Sequence, residues 1–278
     1  MNILVIGGTR YFGKRLVNLL IQRNYSVTIV TRGLYEDDLG DRVNRLVADR
    51  RNPQDLRKAI GSLSFDAVVD QVCMNGTEAQ DAISIFQGKT SYYLMTSTLS
   101  VYEPKANLAE EDFIAESYLQ TNDSSYAGGK RRAEHVFATS APFPTAFARF
   151  PIVLGPDDYT QRLELHIQNV KRGEGIYFPN LEAKFSFISS EDAARALLWL
   201  VENKHKGSFN FASSTPMTLK DLMKLIETKT GKSAIFSQDP NAVSPFGIEK
   251  DYFMDVSKAL KLGFKTKDLK DWLPDLIK

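Results

Sequence analysis

Hydrophobic and polar positions alternate between two periods from the first residues onward. Ile3 to Ile6 is a short unbroken apolar run and reads as a buried strand. From Phe12 to Gln22 the apolar positions Leu16, Val17, Leu19 and Leu20 fall at helical spacing. Val27 to Val30 and Val43 to Val47 return to strand character. Asn52-Pro53 places a capping side chain before a proline at the first helical position, which predicts a helix to about Ile60. Ala67 to Val69 and Tyr92 to Met95 read as further strands, residues 126–139 as a long helix, and Thr145 to Phe150 as a strand. This alternation predicts an α/β fold, a doubly wound parallel Rossmann sheet with helices on both faces.

Beyond Gly155-Pro156 the pattern loosens. A helix near 162–172 ends at Gly173, and short strand-like runs follow at Ile176–Phe178 and Phe185–Ile188. Ser190 caps a helix with Glu191 and Asp192 in its first turn, where the helix dipole favours acids. Ser208 to Phe211 reads as a strand returning to the main sheet. Thr218 to Asp221 resembles a capping box with Asp in place of Glu. The expected organisation is a dinucleotide-binding domain over 1–150, with 187–215 returning to it. Residues 151–186 and 216–278 form a smaller, interleaved substrate domain.

The chain has 278 residues, enough for one large domain or two closely joined ones. Its net charge of +1 provides no strong field for nucleic acid or an anionic membrane. Cys73 is the only cysteine, so no internal disulfide forms, and the three scattered histidines suggest no metal site. Met1 leads at once into a strand, without the basic segment and longer apolar run of a signal peptide. No stretch is apolar over a membrane-spanning length. The expected location is the cytoplasm.

Chemistry enters at residues 6–13, Ile-Gly-Gly-Thr-Arg-Tyr-Phe-Gly, between the first strand and the first helix. Glycines there turn the chain sharply and let backbone N–H groups approach a pyrophosphate, while the helix N-terminus supplies donors and a positive dipole end. Gly13 would let the helix pack closely on the strand. The alternative is an ordinary strand–helix turn. Gly7, Gly8, Thr9, Arg10, Tyr11, Phe12 and Gly13 are the candidate phosphate contacts.

A second candidate is Tyr126-Ala-Gly-Gly-Lys130, which sets a phenol and an ammonium at i and i+4 on one helix face. A cation beside a phenol favours the phenolate, and such a tyrosine can exchange a proton with a substrate hydroxyl. Upstream, Tyr92-Tyr-Leu-Met-Thr-Ser-Thr98-Leu-Ser-Val-Tyr102 ends a strand in a hydroxyl cluster. These hydroxyls could equally satisfy loop backbone.

Together these residues resemble the short-chain dehydrogenase/reductase superfamily, in its extended and atypical branch, the NAD-dependent epimerase/dehydratase family. Gly7 and Gly13 match the outer glycines of that family's Gly-x-x-Gly-x-x-Gly turn. Arg10 takes the middle place, as in atypical members that include chloroplast stem-loop RNA-binding proteins. The resemblance implies a catalytic set of Thr98, Tyr126 and Lys130, with Lys130 also holding the nicotinamide ribose. Asp49 and Arg50 match the segment that meets adenine, and Gln71 the loop passing the cofactor. Arg149-Phe-Pro-Ile-Val-Leu-Gly-Pro156 resembles the strand and turn that bring Pro151 near the nicotinamide.

Departures narrow the function. Leu99 and Ser100 follow Thr98 where family dehydratases carry an acidic pair, and Ile152 stands where nucleotide-sugar enzymes often have asparagine. Three readings remain. The first is an NAD(P)-dependent oxidoreductase or epimerase acting on a small hydroxyl or carbonyl substrate, with sugars and nucleotide sugars among the candidates. The second is a silent dinucleotide-binding regulator, and the third an RNA-binding protein, against which the charge argues. The second strand ends Val30-Thr31-Arg32 without an acid beside the ribose, which favours NADP over NAD. Arg32 is the expected 2′-phosphate ligand, with Arg10 or Arg50 approaching, and Glu36 to Asp38 are expected in solvent. The resemblance further suggests a homodimer through the tyrosine-bearing helix and the one before it, near Thr77–Phe86. Val136 and Phe137 are the candidate apolar contacts.

Overall fold

The first predicted strand is β1 (Asn2–Ile6), with Ile3 to Ile6 all buried. The computed structural model describes residues 1–119 and 121–278. After β1 come α1 (Tyr11–Gln22), β2 (Ser26–Thr31), β3 (Asn44–Val47), α2 (Pro53–Ile60) and β4 (Ala67–Asp70). Next are α3 (Gly76–Phe86), β5 (Tyr93–Thr98), α4 (Tyr126–Ser140) and β6 (Thr145–Phe150). The chain continues through β7 (Ile152–Leu154), α5 (Arg162–Arg172), β8 (Gly175–Ile176), β9 (Lys184–Phe185), β10 (Phe187–Ser189) and α6 (Ser190–Asn203). It then forms β11 (Gly207–Asn210), β12 (Met217–Thr218), α7 (Leu219–Thr230), β13 (Ile235–Phe236) and α8 (Ser257–Lys261).

Two compact units divide these elements. The first comprises Met1–Tyr102, Glu110–Phe150 and Ser190–Asn210. Its sheet has seven parallel strands in the order β11-β6-β5-β4-β1-β2-β3. Helices α1 and α6 pack together in one layer, and α2, α3 and α4 in another. This is the doubly wound arrangement the alternating periodicity predicts. Leu16, Val17 and Leu20 of α1 are fully buried, each contributing roughly 1.5–3 kcal/mol of apolar burial. A second set, including Leu4, Ile6, Val68, Met95, Ile83 and Phe137, fills the core beneath α2, α3 and α4. Phe137 therefore does not stand on an outer face: its ring lies 4.7 Å from that of Tyr93. Val136 packs against the same core.

Caps set the helix starts. Asn52 accepts from Gln54 N and Asp55 N at α2, Asn75 from Glu78 N at α3, and Ser125 from Gly128 N at α4. Among the described residues no helix is long and apolar enough to cross a membrane.

The second unit comprises Glu103–Ala109, Pro151–Ser189 and Phe211–Lys278. The run Phe185–Ile188, one strand by its pattern, is split. β9 pairs antiparallel with β12, while β10 pairs parallel with β7. Ser186 separates them, and its Oγ accepts from Met254 N at 3.0 Å. The capping box at Thr218 forms by half. Thr218 Oγ1 accepts from Asp221 N, but it also donates to Asp221 Oδ2 at 2.7 Å. A carboxylate one methylene shorter than Glu is occupied by the hydroxyl itself. Gly173 ends α5 in the left-handed region at φ 69°. His166 is fully buried in this unit, stacked on Phe246 at 4.5 Å, with Nδ1 2.6 Å from Arg162 O and Nε2 2.6 Å from Ser244 Oγ.

Candidate active site

In the first unit β1 and β4 are neighbours at the point where the strand order reverses. Ligands of open α/β sheets bind outside the carboxyl ends of strands at such a point. Gly7 and Gly8 leave β1 with φ of 95° and 94°, a region that residues with side chains enter only under strain. A methyl on Gly7 would lie 3.6 Å from Gln71 Cβ, so the glycine turn and the β4 exit meet. A methyl on Gly13 would lie 2.5 Å from Gln71 Oε1. Gly13 thus makes room for the Gln71 amide. Gln71 Nε2 is buried without a hydrogen-bond partner among the described residues.

Arg10 gives the first turn of α1 no side-chain cap, and that turn holds no acid, unlike α2 and α3. The leading N–H groups of a helix and its positive dipole end suit an anion. Thr9 is half-buried, and Tyr11 adopts φ 53° with its ring buried. A non-glycine residue there stores about 1–3 kcal/mol of strain, a feature that clusters at ligand clamps. Phe12 meets Tyr11 and Phe150 edge-on at 5.4 and 5.8 Å. The two glycines, the helix start without a side-chain cap and the orphaned Gln71 amide fit a dinucleotide pyrophosphate.

At the end of β2, Thr31 Oγ1 accepts from Gly33 N at 3.2 Å, and Arg32 is exposed. Arg10, at the start of α1, stacks over Tyr35 of the loop after β2 at 5.0 Å. Glu36 and Asp38 are exposed, as expected, and two of the three acids beyond are engaged. Asp38 pairs with Lys14 at 2.9 Å and Asp37 with Arg45 at 2.6 Å, and the Asp37 side chain is largely buried, not in solvent as expected. Asp49 is half-buried and accepts from Arg51 Nη2 at 2.7 Å and Arg51 N at 3.0 Å. Those bonds, with Arg32 adding field, lower its carboxyl to about 2.

Arg50 corrects the expectation that placed it at the ribose phosphate. It is 5% exposed, and its Nε and Nη2 donate to Asp70 Oδ2 at 3.0 and 2.7 Å. Nη2 also donates to Glu78 O at 3.0 Å. Tyr93 Oη donates to the same Asp70 oxygen at 2.7 Å, and Asp70 Oδ1 accepts from Val72 N at 3.0 Å. Through Nε and Nη2 the guanidinium shapes the loop after β4, while its buried Nη1 has no hydrogen-bond partner among the described residues.

That loop reaches Lys130. The ammonium is 2% exposed and donates to Cys73 O at 2.7 Å and Thr96 O at 2.9 Å. Its nitrogen lies 5.8 Å from the ring centroid of Tyr126, which is 51% exposed. Gly129 permits this arrangement, because a methyl there would lie 2.5 Å from Met74 O. Thr98 ends β5, nearly buried, and its Oγ1 accepts from Ser100 N at 3.1 Å. The hydroxyl thus satisfies loop backbone, as the sequence left open. Tyr126 borders an open depression of about 820 Å³ that Asn75, Glu78, Ser125 and Arg132 also line. Pro151 begins the middle segment of the second unit.

Sequence reasoning passed over Asp70, Glu78, Gly129 and Glu134. The available signal was a charge inside an apolar pattern: Asp70 ends the run Ala67–Val69, and Glu134 lies one turn beyond Lys130. Cys73 is buried, and burial pushes its thiol up to about 12, which keeps it protonated. Among the described residues no cluster of His, Cys, Asp and Glu is arranged to hold a metal ion.

The sequence profile of the NAD dependent epimerase/dehydratase family matches residues 3–87 and 77–212. The chain is 26% identical to the Arabidopsis thaliana chloroplast stem-loop binding protein of 41 kDa b, over 98% of this chain and 77% of that one. It is 23% identical to UDP-glucuronic acid decarboxylase 1 of the same plant, over 100% of this chain and 69% of that one. The fold is similar to the structure of Bacillus cereus UDP-glucuronic acid 4-epimerase in complex with UDP-glucuronic acid and NAD. The TM-score is 0.78 at 21% identity, covering 100% of this chain and 99% of that one.

Proposed function

The chain belongs to the NAD dependent epimerase/dehydratase family, and we propose that it is an NAD(P)-dependent oxidoreductase or epimerase acting on a sugar-type hydroxyl or carbonyl. The observation that carries this reading is the buried Lys130 ammonium, held on two backbone carbonyls and facing the Tyr126 ring. The bound nicotinamide supplies hydride uptake and return. Tyr126 takes the proton from the substrate hydroxyl as the carbon is oxidised, and gives it back on reduction. Lys130 brings positive charge to the face where negative charge develops on the Tyr126 oxygen, and its third proton is available to the nicotinamide ribose. Thr98 Oγ1 accepts from Ser100 N and directs its proton at Ser100 Oγ, 3.3 Å away, so in this reading the hydroxyl turns that proton from Ser100 to the substrate oxygen. Gly7, Gly8, Gly13 and the start of α1 hold the pyrophosphate, with Gln71 closing the turn.

Nucleotide sugars are the substrates to try first, because relatives are named for UDP-glucuronic acid. The purified protein is incubated with UDP-glucuronic acid or UDP-glucose and each dinucleotide, and products are read by NMR. Turnover in the wild type that falls by orders of magnitude in Tyr126→Phe, with dinucleotide affinity retained, supports the reading. Full activity in that variant refutes it.

NADP is the proposed cofactor. Arg32 follows β2, Arg10 at the start of α1 stacks over Tyr35 of the loop beyond it, the run Val30-Thr31-Arg32 carries no acid, and Asp37 and Asp38 pair with Arg45 and Lys14. Arg32→Ala should weaken NADP by about 1.5–3 kcal/mol, the worth of a charge-assisted hydrogen bond. Equal or tighter binding of NAD by the unmodified protein would overturn this choice.

A further inference from the structure

Beneath the proposed catalytic residues lies a buried polar network that the proposed chemistry does not use. Glu134 and Arg149 are each 0% exposed. Arg149 Nη2 donates to Glu134 Oε2 at 2.6 Å, and Nε reaches Oε1 and Oε2 at 3.1 and 3.2 Å. Ser97 Oγ donates to Glu134 Oε1 at 2.5 Å. Arg149 Nη1 donates to Tyr102 Oη at 2.8 Å and to Glu110 O at 3.1 Å, while Nη2 also reaches Phe113 O at 3.0 Å. Tyr102 Oη in turn donates to Asn210 Oδ1 at 2.6 Å, and Asn210 N donates to Glu110 Oε1 at 2.8 Å.

Stability alone does not explain an ion pair in this place. Removing two charges from water costs several kcal/mol per ion, and well-packed apolar replacements of such pairs are often neutral or stabilising. What an apolar pair cannot supply is direction. A guanidinium fork on a carboxylate fixes both partners in distance and angle. The partners here belong to the two elements that carry the proposed chemistry. Glu134 lies one helical turn beyond Lys130 on the same face of α4. Ser97 immediately precedes Thr98 and stands opposite Arg149 in the β5–β6 register. Tyr102 closes the turn that Thr98 caps, its N–H donating to Leu99 O.

We infer that the Glu134–Arg149 pair is a positioning device that holds the Lys130 helix and the Thr98 strand end in register. The inference rests on the reading of Thr98, Tyr126 and Lys130 given above. Glu134 and Arg149 touch neither substrate nor cofactor in this role. They act through Ser97, Tyr102 and the α4 backbone. Without them the core would still close, but Lys130 would no longer be aimed at the nicotinamide ribose.

The test separates the two halves of the dinucleotide. The full-length double variant Glu134→Leu/Arg149→Met replaces the pair by uncharged apolar side chains, each shorter than the one it replaces. Its affinity for NADPH is measured by fluorescence, and its affinity for 2′,5′-ADP, which lacks the nicotinamide ribose, by calorimetry. NADPH affinity should fall about tenfold or more, the cost of losing one hydrogen bond from a charged donor, with 2′,5′-ADP affinity unchanged. Unchanged NADPH affinity overturns the inference, and so does an equal loss for both ligands, which would mark a merely structural role. Should the double variant fail to fold, Ser97→Ala keeps the ion pair and removes only its bond to the strand before Thr98. That variant should show the same selective loss at smaller size, and an equal or absent loss there overturns the inference as well. If the wild type binds neither ligand, the cofactor reading itself fails, an outcome distinct from an unselective variant of a protein that binds both.

Discussion

Two glycines of the same turn should respond in opposite ways to the same added methyl. Gly8 has φ 94°, and its new Cβ would lie 2.9 Å from Val5 Cγ1 and 3.0 Å from Val17 Cγ2. Val5 is in the central strand and Val17 is fully buried in α1, so neither side can yield without moving an element. The left-handed backbone costs an alanine roughly 1–2 kcal/mol. Overpacking a tight core contact adds about 1–3 kcal/mol. Gly8→Ala should therefore lose about 2–5 kcal/mol. At Gly13 the methyl would lie 2.5 Å from Gln71 Oε1, the far end of a flexible side chain, and φ lies outside the left-handed region. Gln71 can rotate aside, and alanine in a helix gains up to about 1 kcal/mol over glycine. Gly13→Ala should keep its stability and lose dinucleotide affinity, because the displaced amide enters the turn. Urea denaturation followed by tryptophan fluorescence, together with dinucleotide titration, measures both. A Gly13→Ala variant as unstable as Gly8→Ala, or one that binds dinucleotide like the wild type, would refute the reasoning.

Two further outcomes follow from buried groups. Burial lowers His166 to about 4, below its unfolded value near 6.5. The unfolded chain therefore binds the extra proton first, and stability is lost as pH falls from about 6.5 to about 4, by on the order of 3 kcal/mol. In urea titrations at pH 4.5 and pH 7, His166→Gln should show a smaller difference than the wild type; an equal difference would refute this. Cys73, raised to about 12 by burial, should react with a thiol reagent at pH 8 only after denaturant is added. Rapid labelling of the native protein would count against its place in the core.

The order of elements was legible along the chain because burial writes a period into the sequence. Ile3 to Ile6, Leu16 to Leu20 and the Asn52-Pro53 start each carry their own local signal, and the structure places β1, α1 and α2 there. The glycine turn was readable for the same reason, since positive φ excludes most other residues. Tyr126 and Lys130 were recognisable as a pair because helical geometry makes i and i+4 neighbours. What Arg50 does was not readable in this way. Its partner Asp70 lies twenty residues on and becomes its neighbour only when β3 and β4 take their places in the sheet. The split of Phe185–Ile188 is of the same kind, since the two halves differ by the strand each pairs with, not by their own residues. Local periodicity records whether a residue faces water or core. Which charge meets which is decided by strand order and helix layer, and so the Lys130 seat and the Glu134–Arg149 pair exist only in the folded chain.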